Sequence, residues 1–321
     1  MFNLFRIIEN RRYYFLVSLV VIALGVAAMG YNVATLPTRT PWRLSVDFLP
    51  GNRFELKFTQ PVSEDQIRST FQAFGITNPA ITRLGDPAEN TWQVRTVFIE
   101  GQRAQEIRAA LNRIAPLDES STQIQSVSPT VAAQVTQAAL IAVVVATFAI
   151  LLFIWWSFRR AEHAFRYSIC AIVALIHDIG IAAGITAIFS ALFNWEIDAL
   201  FLTAMLTVMG FSIQDTIVVY DRIRENLARR RGETFETIVT RSLLETLNRS
   251  LTTSLINILV LTALLLFGGA SIKQFVAVLL VGMFAGTYSS IFIAVPLVVA
   301  WFERDLLGLR QRALSVAAAG R

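Results

Sequence analysis

The chain has 321 residues, 55% of them hydrophobic and only 16% charged, with a formal net charge of +5. Soluble domains carry roughly 25% charged residues, so this composition, with a mean hydropathy of +0.55, excludes an ordinary soluble domain and indicates an integral membrane protein. Lys57 and Lys273 are the only lysines, and the arginines cluster beside apolar runs, where they act as topology signals and not as a nucleic-acid surface. The single Cys170 rules out an intrachain disulfide framework and suggests no cysteine metal site.

A spanning helix needs about 20 mostly apolar residues. The first such stretch is 13–34. It follows Arg6, Arg11 and Arg12, as a secretory signal would. Its apolar run is long for a signal peptide and no A-x-A site closes it, so it reads as an uncleaved anchor. Residues 1–36 thus form an N-terminus and first span.

The segment 37–130 is polar enough to fold outside the membrane. "NRFELKFT" (52–59) alternates Phe54, Leu56 and Phe58 with polar neighbours and predicts a half-buried strand. "SEDQIRSTFQAFG" (63–75) predicts a helix with Ser63 and Gln66 in capping-box spacing and Gly75 at its end. Strands follow at 80–84 and 91–99. "GQRAQEIRAALNRIA" predicts a second helix with Ile107, Ala110, Leu111 and Ile114 on one face. A last strand falls at 121–128. The order βαββαβ is that of a ferredoxin-like split βαβ domain.

Five further spans follow within 131–303, at about 131–157, 167–193, 199–220, 250–270 and 274–302, and 304–321 is a tail. The fold class is therefore a polytopic α-helical membrane protein with six transmembrane helices and one α+β ferredoxin-like domain between the first two. Arginines cluster in alternate connections, all of which fall on one side of the six spans: Arg6, Arg11 and Arg12; Arg159, Arg160 and Arg166; Arg222, Arg224, Arg229, Arg230, Arg231, Arg241 and Arg249; and Arg304, Arg310, Arg312 and Arg321. The positive-inside rule makes both termini cytoplasmic and puts 37–130 outside.

Ionisable residues within spans are costly to bury and are functional candidates. Asp215 lies five residues before Tyr220, about 7–8 Å from the cytoplasmic end of its span, with Ser212 one turn earlier. Desolvation favours a neutral carboxyl and a nearby cation favours the charged form, so a group held between the two can load and release a proton. The alternative is a structural ion pair that locks two helices. The expected partner is Arg249, which leads a polar stripe of Glu245, Thr252, Thr253 and Asn257, widened by Ser250 and Ser254. Against this stands a flanking arginine that merely snorkels to the interface.

His177 and Asp178 sit near the middle of the third span, as either a proton relay or a helix clamp. Adjacent residues point about 100° apart on a helix, so the two are not each other's ideal partners, and Asp178 is expected to meet another helix. No metal site is expected from this pair. Gly282 and Gly286 have GxxxG spacing, which permits close helix contact, and Ser289 and Ser290 continue that side.

Five separated segments resemble the SecF family of protein-export membrane subunits. They are "VDFLPGNRFEL" (46–56), "VSPTVAAQVTQAA" (127–139), "ALIHDIGIAAG" (174–184), "GFSIQDTIVVYDRIREN" (210–226) and "TLNRSLTTS" (246–254). They follow the family's order, and the resemblance covers the chain from about 45 to 302. Two glycine motifs depart from the family: only Gly51 survives near 50–52, and Ser128 and Ala132 replace glycines at 128–132.

The resemblance implies one half of an RND-type transporter in the bacterial inner membrane, with a SecD-like subunit as the other half. It implies action beside the SecY/SecE/SecG channel, use of the proton motive force, and late-stage export of an unfolded secretory polypeptide. It assigns Asp215 and Arg249 to proton coupling and matches His177 and Asp178 to a third-span pair. The expected partners are that subunit, the channel, the polypeptide, protons and the lipid bilayer, with no nucleic acid, no cofactor and no enzymatic activity. An RND-type half-exporter of a small molecule or lipid shares the six-span layout, although about 94 external residues (37–130) is small for a drug-binding porter. An intramembrane aspartyl protease needs paired aspartates in a "GxGD" setting, whereas this chain reads "FSIQD". A non-catalytic scaffold fits the same spans.

Overall fold

The computed structural model describes residues 7–84, 87–159, 164–229 and 232–303. Arg6, Arg160, Arg230, Arg231 and the tail 304–321, with Arg304, Arg310, Arg312 and Arg321, lie outside the described residues. The chain divides into two units, Leu44–Ile141 and a bundle formed by Met1–Arg43 with Ala142–Arg321.

In the first unit, β1 (Gly51–Lys57) alternates as its sequence requires. Phe54 and Leu56 turn into the core, and Arg53, Glu55 and Lys57 turn away from it. β1 pairs antiparallel with β3 (Thr91–Thr96) on one side and β4 (Gln123–Val127) on the other. β2 (Ala80–Leu84) completes the sheet beyond β3, giving the order β2-β3-β1-β4. That order, with helices between β1 and β2 and between β3 and β4, is the ferredoxin-like arrangement read from the sequence.

The two helices are α2 (Glu64–Ala73) and α3 (Gly101–Ile114). They bury Ile67 and Phe71, and Ala104, Ile107 and Leu111, against the sheet residues Phe54, Leu56, Trp92 and Val94. Ser63 and Gln66 form both halves of the capping box, which occupies N–H groups that the first turn leaves unpaired. Gly75 ends α2 at φ +82, a left-handed conformation that glycine adopts without a Cβ penalty. Asn52 is buried, accepts from Ile99 N–H at 2.7 Å and donates to Ile99 C=O at 3.2 Å. It thereby ties β1 to the segment that leads into α3.

The spans are α1 (Arg11–Thr35), α4 (Pro129–Phe158), α5 (Ala164–Phe193), α6 (Ala199–Arg229), α7 (Phe235–Phe267) and a sixth built from three pieces. The sixth runs as α8 (Ala270–Ser289), a π-helical stretch Ser290–Ala294, and α9 (Val295–Glu303). The π stretch lies just before Pro296, which has no N–H to give the helical ladder. Tyr220 on α6 donates to Ala294 C=O at 2.9 Å and fixes that stretch from outside.

The third, fourth and sixth spans form the centre, with 50%, 44% and 67% of their most apolar windows buried, against 11%, 6% and 11% for the first, second and fifth. The outer spans are as apolar as the inner ones, so their exposed leucines, valines and phenylalanines suit a lipid or protein neighbour and not water.

α1 buries Arg11, Ser18, Gly25 and Asn32, one residue in every seven. This narrow stripe lies on α5. Gly25 and Gly184 cross backbone to backbone, since a Cβ on Gly25 would come 2.7 Å from Gly184 Cα. Seven residues below them Ser18 meets His177, and seven above Asn32 donates to Ala187 C=O at 3.0 Å.

Most of the expected 221–249 connection is helical. Hydropathy marks only the apolar part of a helix, and here charge pairs extend it. Arg224 pairs with Asp221 at 2.5 Å, and Arg229 with Glu225 at 2.6 Å, along α6. Arg222 reaches across to Glu245 on α7 at 2.6 Å. Thr234 caps α7 by accepting from Thr237 N–H.

Candidate functional site

Two carboxylates lie at membrane depth, and their surroundings differ. Asp178, on α5, is fully buried. Its Oδ2 accepts from Ser212 Oγ on α6 at 2.5 Å and from Ser289 Oγ on α8 at 2.6 Å. Its Oδ1 lies 2.8 Å from Nδ1 of His177. The expectation that Asp178 meets other helices matches this geometry. Although adjacent His177 and Asp178 were not expected to be ideal partners, they do meet, because the two side chains bend across the 100° between their Cα–Cβ directions. Nε2 of His177 lies 2.8 Å from Ser18 Oγ on α1, and its ring stacks on Tyr288 at 6.2 Å. Tyr288 in turn donates to Tyr14 C=O at 3.0 Å.

Asp215 lies on α6 three residues after Ser212 and is half-buried. One hydroxyl, Ser254 Oγ on α7, donates to its Oδ2 at 3.2 Å. It faces a narrow cleft between α6, α7 and α8, whose polar lining beside Asp215 is Ser212, Gln214, Thr253, Ser254, Asn257 and Thr287. Gly282 and Gly286 form part of the wall. A Cβ on Gly282 would collide with the Val208 side chain, and one on Gly286 would lie 3.3 Å from Ser212 Cα. Lacking both, α8 lies directly against α6.

Arg249, the partner expected for Asp215, is exposed, and no ion pair joins the two among the described residues. The reason is helical phase. α7 buries Ile238, Val239, Ser242 and Leu243 at its start, and from Thr246 onward its buried row narrows to Thr246, Ser250 and Ser254, four apart. Arg249 sits one residue, about 100°, off that stripe. Thr252 and Thr253 are exposed as well; Thr253 edges the cleft and Thr252 is not in its lining. Glu245 turns to Arg222 and to Asn226, at 2.6 and 2.9 Å. Ser254, which the polar run offered only as a widening residue, makes the contact. Ser289, noted only for following the two glycines, contacts Asp178. Asp178 and Asp215 share no hydrogen bond and have different partners. Among the described residues no group of three or more His, Cys, Asp or Glu could hold a metal.

Residues 106–304 match the family model described as protein export membrane protein SecD/SecF, C-terminal. The protein translocase subunit SecF of Thermobaculum terrenum is 42% identical over 286 residues, covering 86% of this chain and 90% of that one. The chain belongs to the SecF family. SecF of Anaerolinea thermophila is 38% identical over 92% of the chain and 93% of its own length. A crystal structure of SecDF, a translocon-associated membrane protein from Thermus thermophilus, matches with a TM-score of 0.78 at 28% identity and 94% coverage of this chain. The chain spans 40% of that SecDF, in which the SecF-like part is one portion of a longer polypeptide. Family membership accounts for the six apolar helices and the small antiparallel sheet domain together.

Proposed function

We propose that the chain is the SecF half of a protein-translocation accessory complex in the cytoplasmic membrane. A SecD-like subunit supplies the other half, and the pair works beside the SecY/SecE/SecG channel on an unfolded polypeptide in late export. Protons moving through Asp215 drive the work. Both termini lie in the cytoplasm and the 37–130 domain lies outside.

The observation that carries this reading is the contrast between the two carboxyls. Asp178 has partners at both oxygens, whereas Asp215 has one weak donor and opens on a polar-walled cleft. A carboxyl held by one neutral hydroxyl can carry a proton, and beside a guanidinium it releases it. Arg249 lies five residues before Ser254, about 7.5 Å along α7 and about 100° off its buried stripe. A modest turn of α7, or a swing of the arginine, exchanges the Ser254 contact for an ion pair. Two such arrangements need differ by only a few kcal/mol for one proton to select between them. Their motion reaches the external domain through α1 and α4, which flank it in the chain.

Affinity purification of the full chain from its native membranes tests the assignment. Recovery of a SecD-like subunit with the SecY channel is the expected result. Recovery of an outer-membrane efflux duct in their place would favour a small-molecule or lipid exporter.

A further inference from the structure

The Asp178 side chain joins three spans and reaches a fourth through His177. Ser212 brings α6, Ser289 brings the sixth span, and His177 extends the network to Ser18 on α1. Ser212 lies within one turn of Asp215 on the same helix. The absence of a side chain at Gly286 lets the α8 backbone approach Ser212 closely enough for Ser289 to reach the same carboxylate oxygen. The π-helical stretch starts one residue later, at Ser290, so α8 changes its winding directly after this contact.

We infer that Asp178 is a positioning residue for Asp215 and not a second proton carrier. Its hydrogen bonds to Ser212 and Ser289 fix the rotation of α6 against α8, and that rotation turns Asp215 toward the cleft and Ser254. The inference rests on the proton-carrying role proposed for Asp215. Both oxygens of Asp178 are occupied, it is fully buried, and Asp178 is not among the residues lining the cleft. What the site demands at this position is shape and hydrogen bonding.

Asparagine can meet that demand. Its Oδ1 accepts from His177, and its amide donates to the two serine hydroxyls, which can turn to accept. Alanine meets none of it. A positioning role therefore separates Asp178→Asn from Asp178→Ala, whereas a relay treats both as losses of the titrating group.

The test is carbodiimide modification of Asp215 in membranes carrying the full complex, quantified by mass spectrometry across a pH series, together with proton-driven export. Asp178→Asn is expected to keep the wild-type labelling profile of Asp215 and to export within about twofold of wild type. Asp178→Ala is expected to change the labelling rate at Asp215 by about fivefold or more, the scale of a lost hydrogen bond. If Asp178→Ala fails to fold, Ser289→Ala, which leaves both the carboxylate and the cleft lining in place, is expected to change the labelling in the same way. An unchanged Asp215 profile in the variants that remove these bonds overturns the inference. So does an Asp178→Asn protein that folds normally yet loses export as completely as Asp215→Asn. Wild-type export by Asp215→Asn itself would refute the proton role alone, because the labelling results still decide whether Asp178 positions Asp215.

Discussion

Gly184→Ala places a methyl group in the crossing of α1 and α5. The added Cβ would lie 2.8 Å from Gly25 Cα, whereas carbon atoms pack comfortably at about 3.5–4.0 Å. The obstacle is backbone on both sides, so no rotamer change relieves it and the helices must part by about 1 Å. Overpacking of this kind costs about 1–3 kcal/mol. Parting also strains the Ser18–His177 and Asn32–Ala187 contacts above and below. Gly180→Ala is the matched control: it lies on the same helix, and a Cβ there meets nothing within 4 Å. Both substitutions gain the same helix propensity, nearly 1 kcal/mol, so their difference isolates the clash. Denaturant titration of the purified chain in detergent, followed by tryptophan fluorescence, should place Gly184→Ala about 1–3 kcal/mol below Gly180→Ala. Equal midpoints would refute the close crossing.

Three other outcomes follow from the same geometry. Asn52→Ala leaves the buried N–H and C=O of Ile99 without their partner, and should lower the stability of the external domain by about 2–3 kcal/mol, read from Trp92 fluorescence; a loss below the error of that assay would contradict it. Gly282→Ala should destabilise the bundle through contact with Val208, and adding Val208→Ala should recover most of the loss in thermal unfolding; failure of the second change to help would locate the clash elsewhere. Asp118, at the surface after α3, accepts from Ser120 and Ser121 hydroxyls at 2.6 and 3.1 Å, which hold its carboxyl below the usual carboxylate range, with Ser120 N–H and Lys57 adding to the effect. Its contribution is thus present at neutral pH and disappears as pH falls through the lowered folded-state value; Asp118→Asn should flatten that acid loss in a stability-versus-pH series, and an identical acid limb would count against it.

The six spans and the βαββαβ order were legible because each rests on a local period: long apolar runs, alternation in 52–59, and the Ser63–Gln66 cap. The length of α6 and α7 was not, since hydropathy stops where the apolar residues stop, while Arg222, Glu225 and Glu245 carry the helices onward. The contact Asp215 makes in this structure, with Ser254, was not legible for a related reason. On α7 serines and threonines occupy both the buried and the exposed side, so polarity alone does not give the phase. The buried row Thr246, Ser250 and Ser254 does, and it puts Ser254 on Asp215 and leaves Arg249 outside. A usable signal was missed in α1. Ser18, Gly25 and Asn32 recur every seven residues, and His177 and Gly184 repeat that spacing on α5. Matching seven-residue stripes on two spans predict that they pack together. His177 and Asp178 show the limit of direction arguments, because side-chain reach overrode the angle between neighbours.

The proton role of Asp215 is the central claim. Membrane vesicles holding the full translocation complex and a polypeptide arrested late in transit provide the direct measurement: the rate at which transit is completed with and without an imposed proton gradient. With the wild-type chain the gradient should speed completion, and an ionophore should remove the gain. With Asp215→Asn the gradient should give no gain, while the rate without it stays as in wild type. A full gradient-dependent gain in a correctly assembled Asp215→Asn complex would contradict the account.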